Sequence, residues 1–178
     1  LSAIRDALAA GVDAIEHATF VTETGIEVAD TVVASLVASL VPVCPTLGST
    51  LGVTHTAARL AFMRKAGMTD EARVQTVGQL HRAGVRLVSG SDGGVSPSRQ
   101  HGVLPEAVID LADGGVSTAD ALASATSLAA AACGVDDQKG RLAAHFDADL
   151  LLVDGDPLTD ITALRNPVAV YVRGHRTA

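Results

Sequence analysis

Aromatic residues are nearly missing from this chain. Its 178 residues include three Phe, one Tyr and no Trp, 2% in all. Proteins that hold single-stranded nucleic acid stack bases on aromatic rings, and Phe20, Phe62, Phe146 and Tyr171 are too scattered to build such a platform. Positive charge is also short: 13 Lys and Arg stand against 20 Asp and Glu, a formal net charge of −7. An acidic chain repels phosphate backbones, which argues against general nucleic-acid binding. Long apolar runs are absent too. The longest weakly polar stretch, residues 31–43, falls short of the about 20 residues a membrane span needs, and Pro42 interrupts it. No basic segment followed by an apolar one opens the chain, so no signal peptide is expected. Cys44 and Cys133 are too few and too far apart for a disulfide framework or a CxxC metal site. Both are expected to be reduced, buried thiols, which points to the cytoplasm.

What is present is apolar material. Hydrophobic residues make up 48% and charged residues 19%, so global disorder is excluded and an ordinary core can form. The length suits one domain or slightly more. The chain starts at Leu1, already inside a helical pattern, and this suggests a piece of something longer.

The pattern alternates strand and helix, then turns β-rich. Leu1, Ile4 and Leu8 have helical spacing, and Gly11 sits where such a helix ends. Residues 12–17 (VDAIEH), 41–47 (VPVCPTL) and 85–89 (VRLVS) read as strands. Helices are expected at 25–40, 57–65, 69–83, 104–113 and 117–133. Thr69-Asp-Glu and Ser117 with Asp120 are cap signatures. Beyond Lys139, strands are expected around Leu142 and at 148–153 and 168–172, with turns at 154–157 and 166–167. Repeated strand–helix units imply parallel strands with right-handed crossovers, in an open sheet or part of a (β/α) barrel. In both, chemistry sits at the C-terminal ends of strands. That rule selects Glu16-His17, Cys44 to Thr46, and Ser91-Asp92.

Each spot also has a plain structural reading. A strand-end His is usually a satisfied structural residue, and Asp92 fits a turn. The glycines at 90–94 suggest a phosphate cradle, but no GxGxxG or GxxxxGKS accompanies them and Asp92 opposes an anion. Cys44 reads as a structural thiol. His55, His81, His145 and His175 show no ligand spacing, and His81 reads as a surface residue. His17 and Asp92 stand out jointly: they fall at strand ends on one face, and His and carboxylate are ligand types of a hydrolytic zinc.

Together these segments resemble the C-terminal part of the amidohydrolase superfamily, in particular its imidazolonepropionase-like and prolidase-like members. Gly11 to His17 resembles the sixth barrel strand with its metal-site histidine. Gly84 to Gly94 resembles the eighth strand with its aspartate, and His101-Gly102 the turn that follows. Ser117 to Gly134, Gly140-Arg-Leu, Ala148 to Leu158 and Val168 to Gly174 resemble the last helix and the returning β-sandwich strands. The resemblance implies an α/β fold: strands 6–8 of a (β/α)8 TIM-like barrel at 1–138, then part of a composite β-sandwich at 139–178. It implies hydrolysis of a C–N bond by water activated on one or two divalent metals, with zinc the expected metal. Asp92 would be a metal ligand and the proton acceptor, His17 a metal ligand or carbonyl polariser, and His101 a group that binds the small-molecule substrate.

A whole barrel needs about 250 residues and eight strands, and three are read here. The His-x-His of the first strand, the lysine or carboxylate of the fourth and the histidine of the fifth have no counterpart. His145-Phe146-Asp147 also replaces the usual turn. Activity of these residues alone is therefore not expected. Open strand edges imply pairing with the missing N-terminal half of the barrel or with another copy in a homo-oligomer. The competing reading is a non-catalytic α/β remnant that serves as an interaction or oligomerisation module; metal content separates the two.

Overall fold

The protein is described from a computed structural model, which covers residues 1–53 and 56–178; His55 lies outside the described residues. In chain order the elements are α1 (Ser2–Ala10), β1 (Ile15–Glu16), β2 (Val21–Thr22), β3 (Gly25–Ile26), α2 (Asp30–Ser39) and β4 (Val43–Cys44). Then come α3 (Ala57–Lys65), α4 (Asp70–Arg82), α5 (Leu104–Asp113), α6 (Thr118–Ala125) and α7 (Ser127–Ala132). The chain closes with β5 (Leu150–Val153), a 3-10 turn (Ile161–Arg165), β6 (Pro167–Val172) and β7 (His175–Arg176).

Strand β1 pairs in parallel with β4, Ile15 opposite Val43 and Glu16 opposite Cys44. The expected third strand at 85–89 is present only as a parallel bridge between Val43 and Leu87. It is held by Val43 N–H to Arg86 O (2.8 Å) and Val88 N–H to Val43 O (3.0 Å). The three segments thus lie side by side, β4 in the middle, but are shorter than the sequence suggests. Pro42 and Pro45 flank β4 and have no N–H for a ladder, which confines its regular pairing to two residues. Alternation turns Ile15, Val43 and Leu87 toward the helices, where they join Val32, Leu36, Val77, Leu80, Val108 and Leu111 in one core. Glu16 and Cys44 take the opposite face.

Local chemistry explains most boundaries. Gly11 ends α1 with φ 72, a left-handed position where glycine has no Cβ to clash. Thr69 caps α4 by accepting from Ala72 N–H (3.2 Å), and Ser117 caps α6 by accepting from Asp120 N–H (3.1 Å). Three of the expected elements need correction. The helix expected from residue 25 starts at Asp30, because Gly25 and Ile26 pair with Thr22 and Val21 in an antiparallel hairpin. The helix expected over 117–133 breaks at Thr126 (φ −125, ψ −95). There Gly140 packs so closely that a Cβ on it would stand 2.8 Å from Thr126 O. No strand forms at Leu142, which is 86% exposed.

The C-terminal strands form an antiparallel sheet in the order β5-β6-β7. Arg165 joins this region to α5 through two hydrogen bonds to Glu106 (2.8 and 2.6 Å). Cys133 is exposed, contrary to expectation, because it caps the solvent end of α7; Cys44 is buried as expected. No helix among the described residues is long and apolar enough to cross a membrane.

One buried link sets the loop after β4 against α5. Gly48 N–H donates to Asp110 Oδ2 (2.9 Å), and a Cβ on Gly48 would meet Ala107 N at 2.8 Å. Burial raises the Asp110 pKa above its usual value even though the Gly48 N–H opposes that shift. The folded chain therefore holds this proton to higher pH than the unfolded one. The ionised carboxyl weighs against folding as pH rises past about 4. Asp110→Asn keeps an acceptor for Gly48 and removes the charge, so its Tm at pH 7 should equal or exceed that of the parent, with a flatter pH dependence above pH 4. Asp110→Leu leaves the N–H unpaired and should lose about 1–3 kcal/mol in urea unfolding. Equal losses in both variants would contradict this account.

Candidate functional site

The C-terminal ends of the three parallel segments carry the candidate residues. His17 follows β1, Thr46 follows β4, and Asp92 follows residues 85–89. His17 N–H continues the parallel ladder by donating to Cys44 O (2.8 Å). Beyond it the backbone is forced: His17 (φ 68), Ala18 (φ 40), Phe20 (φ 54), Thr46 (φ 49) and Asp92 (φ 52) all occupy the left-handed region without being glycine. Such conformations cost about 1–3 kcal/mol each and persist only where their surroundings fix them.

The surroundings here are a hydrogen-bond network. Thr46 Oγ1 donates to Pro45 O (2.8 Å) and lies 2.8 Å from His17 Nδ1. With its one proton committed to Pro45, the hydroxyl accepts from Nδ1–H. That fixes the neutral tautomer whose Nε2 carries the lone pair, the form a metal or an acid requires. Arg73, on α4, donates through Nη2 to Pro45 O (3.0 Å) and Thr46 O (2.9 Å). Arg99 donates through Nη1 to Thr46 O and to Ser91 O (2.8 Å for the latter). Arg73 therefore ties α4 to the end of β4, and Arg99 ties that end to the Asp92 loop.

His17, Thr46, Arg73, Asp92 and Arg99 line one open cavity of about 340 Å³. The structure thus brings His17 and Asp92 together, both exposed to solvent. His101 does not line that cavity. It is exposed, and its ring lies against Gly94, where an added Cβ would come within 2.6 Å of its Cε1. One amide of the loop is already committed: Gly94 N–H donates to Arg99 O (2.6 Å). Cys44 is pushed up to about 12, chiefly by burial and then by its hydrogen bond to Glu16, so it is a protonated thiol and no nucleophile. His81 is partly buried, 3.8 Å from Asp120 Oδ2 across the α4–α6 face.

Thr46 falls at a spot the strand-end rule selects, although its bond to His17 has no sequence signature. Arg73 and Arg99 went unread: one sits inside an ordinary helical pattern, the other in a polar loop. Among the described residues, no group of three or more His, Cys, Asp and Glu is arranged to hold a metal. His17 and Asp92 have the right donor types for a divalent cation, but as a pair they fill part of a coordination shell only.

With this geometry in place, comparison with known proteins is informative. A sequence profile described as the Amidohydrolase family matches residues 1–177, and the chain belongs to that family. Its members are hydrolases and are generally metal-dependent. Solved structures share the fold. A Xaa-Pro dipeptidase with methionine in its active site superposes with a TM-score of 0.78 at 23% identity, over 99% of this chain and 42% of that one. A Bifidobacterium longum protein assigned as a prolidase gives 0.76 at 29% identity, over 98% and 44%. A prolidase complexed with N-methylphosphonate-L-proline gives 0.69 at 25%, over 99% and 42%. The chain therefore spans less than half the length of these structures. No curated protein matches it.

The tautomer assignment is testable without turnover. In nitrogen-15 spectra near pH 8, His17 should be protonated at Nδ1. Thr46→Ser should keep that state. Thr46→Val, equally β-branched at φ 49, should release the ring to the tautomer mixture of a free imidazole. An unchanged His17 spectrum in Thr46→Val would refute the assignment.

Proposed function

We propose that this chain is the catalytic-side portion of a metal-dependent hydrolase that cleaves a C–N bond, of the amide or dipeptide type, in a small molecule. The observation that carries the reading is the placement of His17 and Asp92 in one cavity at the ends of neighbouring parallel segments. Residues 1–138 form the barrel portion and 139–178 the portion of the smaller β domain. The remaining metal donors come from outside the described residues, from the N-terminal half of the same barrel.

His17 Nε2 and the Asp92 carboxylate would hold the metal, with zinc the preferred ion for imidazole and carboxylate donors. When bound, it supplies Lewis acidity, which brings the pKa of water toward about 7. Asp92 takes the proton of the attacking water and delivers it to the leaving nitrogen, so that the nitrogen departs as a neutral amine. Thr46 holds His17 with Nε2 toward the cavity. The Asp92 loop is kept in register with β4 by Arg99. His101, which packs on Gly94 of that loop, is the candidate for contact with the substrate.

Asp92 sits at φ 52, a conformation Asn tolerates well, so Asp92→Asn removes the base and spares the backbone. In the full-length protein, Asp92→Asn should lower kcat by about a thousandfold, within the usual range for a lost acid–base group, with Tm nearly unchanged. Zinc content measured by mass spectrometry should fall in His17→Ala. Retained turnover in Asp92→Asn would remove the reading.

A further inference from the structure

We propose that Ser124, near the end of α6, is a positioning residue for Asp92 and acts through a clamp on Ser89. The inference deepens the hydrolase reading and rests on it for what Asp92 does; the clamp itself is a property of the fold.

Residues 85–89 need an anchor. Among the described residues they pair with β4 alone, through the bridge between Val43 and Leu87. Val88 N–H points to β4 and donates to Val43 O. Neighbouring residues of a strand aim their N–H groups to opposite sides, so Ser89 N–H points away from that pairing. There it donates to Ser124 O (2.9 Å). The side chains of the same two residues also meet, with Ser89 Oγ 2.7 Å from Ser124 Oγ. Ser124 Oγ donates to Ala121 O (2.6 Å), so its one proton is committed and Ser89 Oγ donates to it. One helix residue thus holds one strand residue by main chain and side chain. Ser124 is buried, where water does not compete for these bonds.

The break at Thr126 makes the clamp possible. In an unbroken helix Ser124 O accepts from Leu128 N–H, four residues on. Here the chain turns off at Thr126, and the last carbonyls of α6 take other partners. Thr126 Oγ1 donates to Leu122 O (2.8 Å), Thr126 N–H to Ala123 O (3.1 Å), and Ser89 N–H to Ser124 O. Gly140 packs on the break, where a Cβ would also stand 3.0 Å from Ser127 Cα. The break gives up an intrahelical bond and frees a carbonyl for the third parallel segment. Asp92 lies three residues beyond Ser89. Between them Gly90 passes so close to β4 that a Cβ on it would stand 2.7 Å from Cys44 Sγ. Ser91 O then accepts from Arg99. Arg99 therefore sets this run against β4, and Ser124 sets it against the helix layer. Asp92 follows at φ 52, a conformation that a slack loop leaves for the β region.

Two ways of weakening α6 separate the clamp from helix stability in the full-length protein. Ser124→Ala and Ser89→Ala each remove the side-chain half of the clamp. Ser117→Ala removes the N-cap of the same helix, about two turns away, and leaves the clamp intact. In nitrogen-15 spectra the Asp92 amide signal should move in the first two variants and keep its place in Ser117→Ala. Zinc affinity, measured by competition with a chelator, should weaken about tenfold in the first two, the low end for groups that orient a metal ligand. Ser89→Thr keeps the hydroxyl and should restore both readouts. The double variant should bind zinc no more weakly than either single one, because the same bond is lost in all three. An unmoved Asp92 signal in Ser124→Ala overturns the clamp. A moved signal with unchanged zinc affinity overturns its positioning role, and so does an equal loss of affinity in Ser117→Ala. If the unaltered protein binds no zinc, the hydrolase reading fails, and the Asp92 signal decides the clamp alone.

Discussion

The carbonyl oxygen of Thr46 is the point on which the site depends. It accepts from both Arg73 and Arg99, while the threonine hydroxyl binds His17 and the preceding carbonyl. Arg99 then reaches Ser91, one residue before Asp92. Three loops that follow three separate strands are thereby joined through one residue of the middle strand. Thr46 itself is buried, so water does not compete for these bonds. The acceptors are shared, so each keeps a partner when one donor is lost: Thr46 O has Arg73 and Arg99, and Pro45 O has Arg73 and the Thr46 hydroxyl.

That network explains how five non-glycine residues can hold left-handed conformations so close together. An isolated strand end would relax His17 or Asp92 into the β region. Here His17 is gripped at N–H by Cys44 O and at Nδ1 by Thr46, and Phe20 is 1% exposed and anchored in the core. The core stabilises the strands, the strands position the loop ends, and the network there holds the strain. Strain gathered at one end of a parallel sheet is the pattern expected where side chains are aimed for a task.

The sequence made some of this legible and hid the rest for definite reasons. Helices with caps were readable: α4 begins after Thr69 and α6 after Ser117 because a side-chain oxygen must meet the first free N–H groups. The strands were readable as segments, but their ends were not. Prolines at 42 and 45 limit β4, and the segment at 85–89 makes only one bridge. The β2–β3 hairpin was missed, since two-residue strands leave no periodic signal. The break at Thr126 depends on Gly140, fourteen residues away in sequence, and tertiary contacts of that kind have no local mark. For the site, the strand-end rule located His17, Thr46 and Asp92. It had nothing to say of Arg73 and Arg99, whose place in the network arises from where α4 and the loop before α5 pack.

Those two arginines also qualify what the overall charge can be taken to mean. A net charge of −7 describes the field at a distance and opposes any long anionic polymer. Within a partly buried cavity the field is set by the nearest groups, because screening by salt and water acts over about 8–10 Å. The cavity beside His17 is lined by two guanidiniums and by the Asp92 carboxylate. An acidic surface and a cavity lined by two guanidiniums are then compatible on one chain. Net charge alone therefore excludes a long anionic polymer and decides nothing about a small ion near His17.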